Sequence, residues 1–193
     1  MPFDVQNEVS DEALLVAFGN GDRDAARILT ARLTPRVLGY SARILGDRAE
    51  AEDVAQEAML RLWRIAEDWR QGEAKVSTWL YRVVANLCTD RLRKKRGVGL
   101  DTIAEPIDDT PSPEAGMVQA QRQAALNAAL QTLPERQRQA VVLRHIEGVS
   151  NPEIAEMMDI SVEAVESLTA RGKRVLAKVL AARREELGYS DDG

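Results

Sequence analysis

A single cysteine, Cys88, leaves no intrachain disulfide and no cysteine-based zinc cluster to build. It stands among Val83, Val84 and Leu87, the setting of a buried structural thiol rather than of a redox sensor. His145 is equally alone, expected as a partly exposed helix residue, so neither residue has the base and orienting partner that catalysis or metal binding needs. No catalytic residue, metal or cofactor is expected, and the chain is not expected to be an enzyme. No apolar run approaches the roughly 20 residues that span a membrane. The opening MPFDVQNEVSDE is acidic rather than a basic region followed by an apolar one. The expectation is a cytoplasmic protein without membrane insertion. Aromatics are 4 % and glycine is sparse outside apparent turns, while Ala, Leu, Glu, Arg and Gln dominate, which predicts an all-α fold. At 193 residues the chain has room for one or two small cores.

Basic charge is not what the total suggests, since the net formal charge is −5. It is segregated instead. Residues 79–96 carry Arg82, Arg91, Arg93, Lys94, Lys95 and Arg96 against Asp90, and residues 161–184 carry Arg171, Lys173, Arg174, Lys178, Arg183 and Arg184 against Glu163 and Glu166. Two basic patches in an acidic chain point to a polyanion met at two places.

Along the chain, residues 10–33 read as two short helices around the turn Gly19-Asn20-Gly21-Asp22, and Pro35 is placed to start a third that Gly46 stops. Asp47-Arg48-Ala49-Glu50 resembles a capping box ahead of a long helix running to Trp69. Val54, Ala58, Leu62, Ile65 and Trp69 commit one face of it to a core. The loop around Gly72 leads to a helix capped by Ser77 or Thr78, with Trp79, Tyr81, Arg82 and Asn86 interleaved. Aromatics beside cations and an amide suit unstacked bases. They equally suit a bundle helix. Residues 97–116 hold Pro106, Pro111 and Pro113 and five acids with no base, and read as an acidic linker. The fold expected is thus two small helical domains, 1–96 and 117–193, joined by that linker.

The second domain ends in a helix-turn-helix over residues 150–174. Ser150 and Glu153 form a capping box with Pro152 in the first turn, Asp159-Ile160-Ser161 breaks the run, and Ser161 caps a second helix with Val165, Leu168 and Gly172 on one face.

Taken together, AEDVAQEAMLRLWR, VSTWLYRVVANLCTDRLRKK and LPERQRQAVVLRHIEGVSNPEIAEMMDISVEAVES resemble, in order and spacing, bacterial RNA polymerase sigma factors of the extracytoplasmic-function class. The resemblance implies a factor that directs core RNA polymerase to chosen promoters and starts transcription in response to an extracytoplasmic or stress signal. By the same resemblance, domain 1–96 binds core polymerase through Asp53, Gln56, Glu57, Arg61 and Arg64. It melts and reads the minus-ten promoter element through Lys75, Trp79, Tyr81, Arg82, Asn86, Arg91 and Arg93. Domain 117–193 reads the minus-thirty-five element through Ser161, Val162, Glu163, Glu166, Ser167, Arg171, Lys173 and Arg174. Partners implied are core RNA polymerase, promoter DNA and an anti-sigma factor; the acidic linker reads equally as a segment matched to a polymerase surface built for RNA and as an unconstrained solvated tether.

Several residues depart from the family pattern. Many relatives carry Lys or Arg where this chain has Glu166 and Leu168, a small residue in place of Glu163, and Gly in place of Asp159. Carboxylates facing DNA are unfavourable unless they accept from cytosine N4 or turn away. Leu168 is claimed for the inside by spacing and for DNA by the family, and Gly172 within a helix needs a close packing contact to offset its propensity. The alternative reading suggested by Glu163 and Glu166 is a sigma-like decoy that sequesters a regulator without touching DNA.

Overall fold

The computed structural model describes residues 9–70, 72, 75–98 and 115–186, the side chains of 98, 115–119 and 184–186 excepted. Among them the regular structure is helical, without a strand. Helix α1 spans Asp11–Gly19 and α2 spans Arg23–Leu45, capped by the side chains of Ser10 and Asp22. Here the expected break is absent: α2 runs straight through Pro35. A proline within a helix costs about 3 kcal/mol. Ala25, Leu29, Leu33, Val37, Tyr40 and Ile44 form one buried stripe on either side of it, and full burial of each large apolar side chain contributes about 1.5–3 kcal/mol. The stripe outweighs the proline.

Helix α3, Arg48–Ile65, begins where Asp47 accepts from the Glu50 N–H at 3.0 Å. It stops four residues short of Trp69, because residues 66–69 tighten into turns, with the Asp68 N–H donating to the Ile65 carbonyl. Helix α4, Val76–Val98, starts ahead of both Ser77 and Thr78. Its cap comes from α1 instead: the Val76 N–H donates to Glu12 Oε1 at 2.9 Å. Cys88 lies fully inside this bundle, and burial pushes its thiol up to about 12, which makes it inert.

The second half comprises α5 (Ala115–Gln131), α6 (Glu135–Val141), a π-helical turn (Val142–Ile146), α7 (Asn151–Met158) and α8 (Val162–Glu186). The π turn was not expected from the continuous pattern of residues 134–148. Both halves of the Ser150/Glu153 capping box are present, Asp159 sits in the left-handed region at φ 52°, and Ser161 accepts from the Ala164 N–H at 3.2 Å. The helix-turn-helix therefore folds as its sequence implies. Gly172 has its packing reason: a Cβ there would lie 2.5 Å from Cγ2 of Val141 on α6. The linker expected over 97–116 lies mostly in 99–114, outside the described residues, while α4 and α5 reach into its two ends.

The halves do not stand apart. Helix α4 packs on α7, and α2 packs on α5, α6 and the π turn. Arg138 of α6, buried, donates to the Ile44 carbonyl at the end of α2 and to the Leu133 carbonyl at 3.1 Å, and burial works against its charge. Gln131 donates to the Arg43 carbonyl at 2.7 Å, and Gln139 to the Thr89 hydroxyl at 2.9 Å.

Candidate functional site

The outer face of α3 displays Asp53, Gln56, Arg61 and Arg64 as exposed side chains, with Glu57 half-buried. Arg61 donates to Glu57 at 2.8 Å and holds that carboxyl below its ordinary range. Beside these groups runs a groove of about 530 Å3 between α2 and α3, floored by Leu38, Met59 and Trp63 and edged by Asp53 and Gln56. Leu60 on its edge is 45 % exposed. A charged rim around an apolar floor is found at protein interfaces and on solvated helix faces alike. Met59 and Leu60 were missed in the sequence. Their signal was two consecutive large apolar residues between the polar positions 56–57 and 61.

Lys75, immediately ahead of α4, and Trp79, Arg82, Asn86 and Arg93 on it recur at helical spacings and share one side, since residues three and four apart are neighbours. Lys75, Arg82, Asn86 and Arg93 are exposed. Trp79 is half-buried, edge-on to Trp69 with ring centroids 6.3 Å apart. Two of the expected readers are turned elsewhere. Tyr81 is buried, edge-on to Tyr40 at 5.6 Å, and its hydroxyl donates to Glu147. Its ring is thus unavailable as a stacking platform in this arrangement. Arg91 points to α3, where it pairs with Glu50 and lies 3.6 Å from Asp53. The Glu50 carboxylate raises its pKa further.

Residues of the second half lie over the same side of α4. Lys75 pairs with Glu153 at 3.1 Å, the Thr78 hydroxyl donates to Glu153 at 3.2 Å, and Arg82 donates to the Glu156 carbonyl at 2.9 Å. None of these acids was singled out for a partner outside its own helix, because a carboxylate on an amphipathic helix is ordinary.

On α8 the inner face follows Val165, Thr169, Gly172 and Leu176, all buried. Leu168 is half-buried at its rim, which settles the conflict between the two readings in favour of neither. Glu163, Glu166, Ser167, Arg171, Lys173 and Arg174 are exposed. Ser161 spends its hydroxyl as a cap, and Val162 is half-buried. Glu163 is held below the ordinary carboxylate range by its own backbone N–H and then by the Ser161 hydroxyl, so it is folded back onto the helix start. This placement at a positive helix end is stabilising without DNA. Near the other edge, an apolar groove of about 380 Å3 is lined by Leu126, Leu130, Val141, His145, Ile146, Lys173 and Leu176. His145 is exposed there, and partial burial with Lys173 and Arg144 nearby lowers its pKa.

Among the described residues no group of His, Cys, Asp and Glu is arranged to hold a metal, and no helix is long and apolar enough to cross a membrane. The family profile of Sigma-70 region 2 matches residues 29–98, and that of Sigma-70 region 4 matches residues 123–176. The RNA polymerase sigma-H factor of Pseudomonas aeruginosa is 33% identical over 181 residues, spanning 88% of this chain and 93% of that protein. SigW of Bacillus subtilis, an ECF RNA polymerase sigma factor, is 32% identical over 171 residues, 83% of this chain and 91% of that protein. SigM of Mycobacterium tuberculosis, of the same description, is 36% identical over 179 residues, 92% of this chain and 88% of that protein. Among solved structures, CnrH in complex with the cytosolic domain of CnrY superposes with a TM-score of 0.63 at 26% identity, covering 89% of this chain and 97% of that one. Two sigma-70 regions in order, and relatives matched along nearly their whole length, make the chain a member of the ECF family of RNA polymerase sigma factors.

Proposed function

We propose that this sigma factor binds core polymerase through the α3 rim and groove, reads the minus-ten element with α4 and reads the minus-thirty-five element with α8. The observation that carries this reading is the single side of α4 shared by Lys75, Trp79, Arg82 and Asn86, in a chain whose helix-turn-helix presents Arg171 and Arg174 outward. Domain 1–96 does the first two tasks and domain 117–193 the third. Arg93 and the cations of α8 hold phosphates, which sets register and salt dependence, while Asn86 and the aromatic edge of Trp79 hold a base out of the stack. Tyr81 serves by packing, and Arg91 by fixing α4 to α3 through Glu50. Glu163 is satisfied by its own backbone N–H and the Ser161 hydroxyl, while Glu166 stays exposed on the same helix.

The factor acts in the cytoplasm, where core polymerase and promoters are, and performs no catalysis itself; the polymerase supplies the chemistry. An anti-sigma protein holds it off until a signal arrives, a reading supported by the family resemblance and by the partner chain carried by CnrH.

Transcription with purified core polymerase tests the assignments. Asn86→Ala should lower open-complex formation while leaving core binding intact, and an equal loss of both would count against base reading. Asp53→Arg should weaken core binding; an unchanged affinity would remove the α3 face from the interface.

A further inference from the structure

Helix α8 changes its charge along its length. From Val162 to Ala170 it carries Glu163 and Glu166 and no cation, whereas from Arg171 to Arg183 it carries Arg171, Lys173, Arg174, Lys178 and Arg183 and no acid. Glu163, Glu166, Ser167 and Ala170 are exposed and stand three and four residues apart, so they share one side of its first turns. A recognition helix meets base edges with its N-terminal residues, while arginine and lysine hold phosphates. The base-facing end of α8 is therefore its anionic end.

The two carboxylates differ. Glu163 lies in the first turn, held by its own backbone N–H and the Ser161 hydroxyl, where the positive helix end favours it. Glu166 lies nearly one turn further on, where that effect has faded. The residues three and four beyond it, Thr169 and Ala170, offer no cation, and the Thr169 hydroxyl donates to the Val165 and Glu166 carbonyls instead. Among the described residues the Glu166 side chain has no hydrogen bond and no ion pair. Helix stability thus gives no reason for this carboxylate, and in a DNA groove it is costly unless a donor meets it. The groove decides which donor. In the major groove only adenine N6 and cytosine N4 donate, and adenine N7, an acceptor beside N6, opposes a carboxylate. Cytosine presents its N4 amino group alone. Ser167, which can donate or accept, and the Ala170 methyl place no rival charge beside Glu166.

We propose that Glu166 is a base-specificity residue, accepting a hydrogen bond from N4 of one cytosine in the minus-thirty-five element while the cations from Arg171 onward hold neighbouring phosphates. The inference rests on the assignment of α8 as the minus-thirty-five reader. Choice and affinity are then divided along one helix. The first turns discriminate by what a carboxylate refuses, and the later turns bind any sequence.

Holoenzyme assembled from core polymerase and the full chain provides the test. From duplexes randomised across both promoter elements, it should select one position of the upstream element as cytosine. Glu166→Gln should move the preference at that position to adenine by about tenfold, because a carboxamide pairs with both N6 and N7, and Glu166→Arg should move it to guanine. Both variants exchange one good helix former for another at an exposed position, so the fold is retained. A changed base preference at a single position is also something that lost stability does not produce. Arg174→Ala reads the underlying assignment separately, since it should weaken binding to all sequences alike. If Arg174→Ala does so while Glu166→Gln keeps the wild-type preference at every position, the cytosine contact is overturned and α8 remains the reader. If Arg174→Ala binds as the wild type does and no upstream position shows a preference, α8 is not the reader, and the inference falls with that assignment.

Discussion

Glu153 ties three parts of the molecule together with one carboxylate: Oε2 accepts from the Ser150 N–H at 3.1 Å and from its hydroxyl at 2.6 Å, while Oε1 faces Lys75 and Thr78. The Ser150 hydroxyl, followed by Lys75, holds its pKa down from 4.5 to about 2. Because the folded value lies below the ordinary one, the fold favours the ionised form. Its stabilisation is complete above pH 4.5 and is lost as the pH falls toward about 2. A carboxyl-resolved NMR titration should find this midpoint, and Ser150→Ala should raise it more than Lys75→Ala does. Gly172 makes the second residue-scale case. Alanine is ordinarily worth up to about 1 kcal/mol over glycine inside a helix. Here Gly172→Ala should instead destabilise by about 1–3 kcal/mol, because the new methyl meets Val141, and a lowered urea midpoint would register it. The need for a close contact at Gly172 was legible in the sequence; its partner was not, since nothing local distinguishes Val141 from the other apolar residues of α6.

Helix α4 shows how an element can take its boundary from another. Ser77 and Thr78 are good caps by composition, yet the helix begins at Val76, whose N–H is satisfied by Glu12 of α1. Glu12→Ala should therefore cost about 1 kcal/mol and speed amide exchange at the start of α4, far from the substitution in sequence. Local signals set the helix-turn-helix well, because Ser150, Pro152, Glu153 and Ser161 act on their own neighbours. They failed at Pro35, where a proline that breaks helices locally is overruled by the buried stripe from Ala25 to Ile44. On α8, Arg171 and Arg174 are two of the outward cations, with Lys173, Lys178 and Arg183. Replacing either with alanine should weaken binding to all sequences alike and reduce the slope of log K against log salt by about 1, as measured by holoenzyme titration on minus-thirty-five DNA.

At the scale of the whole molecule, Arg138 is the residue on which the two halves meet. Its guanidinium serves carbonyls on both sides, Ile44 of the first half and Leu133 of the second. Arg138→Ala would leave those buried acceptors unpaired, and should cost about 2–3 kcal/mol in denaturant unfolding. The order of the two regions was readable in the sequence, because each depends on motifs within one stretch. How the halves meet was not: Arg43 with Glu147, or Thr78 with Glu153, are separated by dozens of residues, and each side chain is equally at home on a solvated helix face. The corner that joins them also carries the π-helical turn, Val142–Ile146, with the Glu147 N–H closing it on the Val142 carbonyl. A π turn holds one residue more than regular helix spacing accommodates. Each residue turns the remainder of its helix by roughly 100°. The wider turn takes up that rotation, so loss of a single residue between 142 and 146 should restore regular helix and leave Glu147 facing Tyr81 and Arg43. In evolutionary terms, this segment is therefore tolerant of chain length: one deleted codon there would erase the π turn while leaving the junction of the two halves in register.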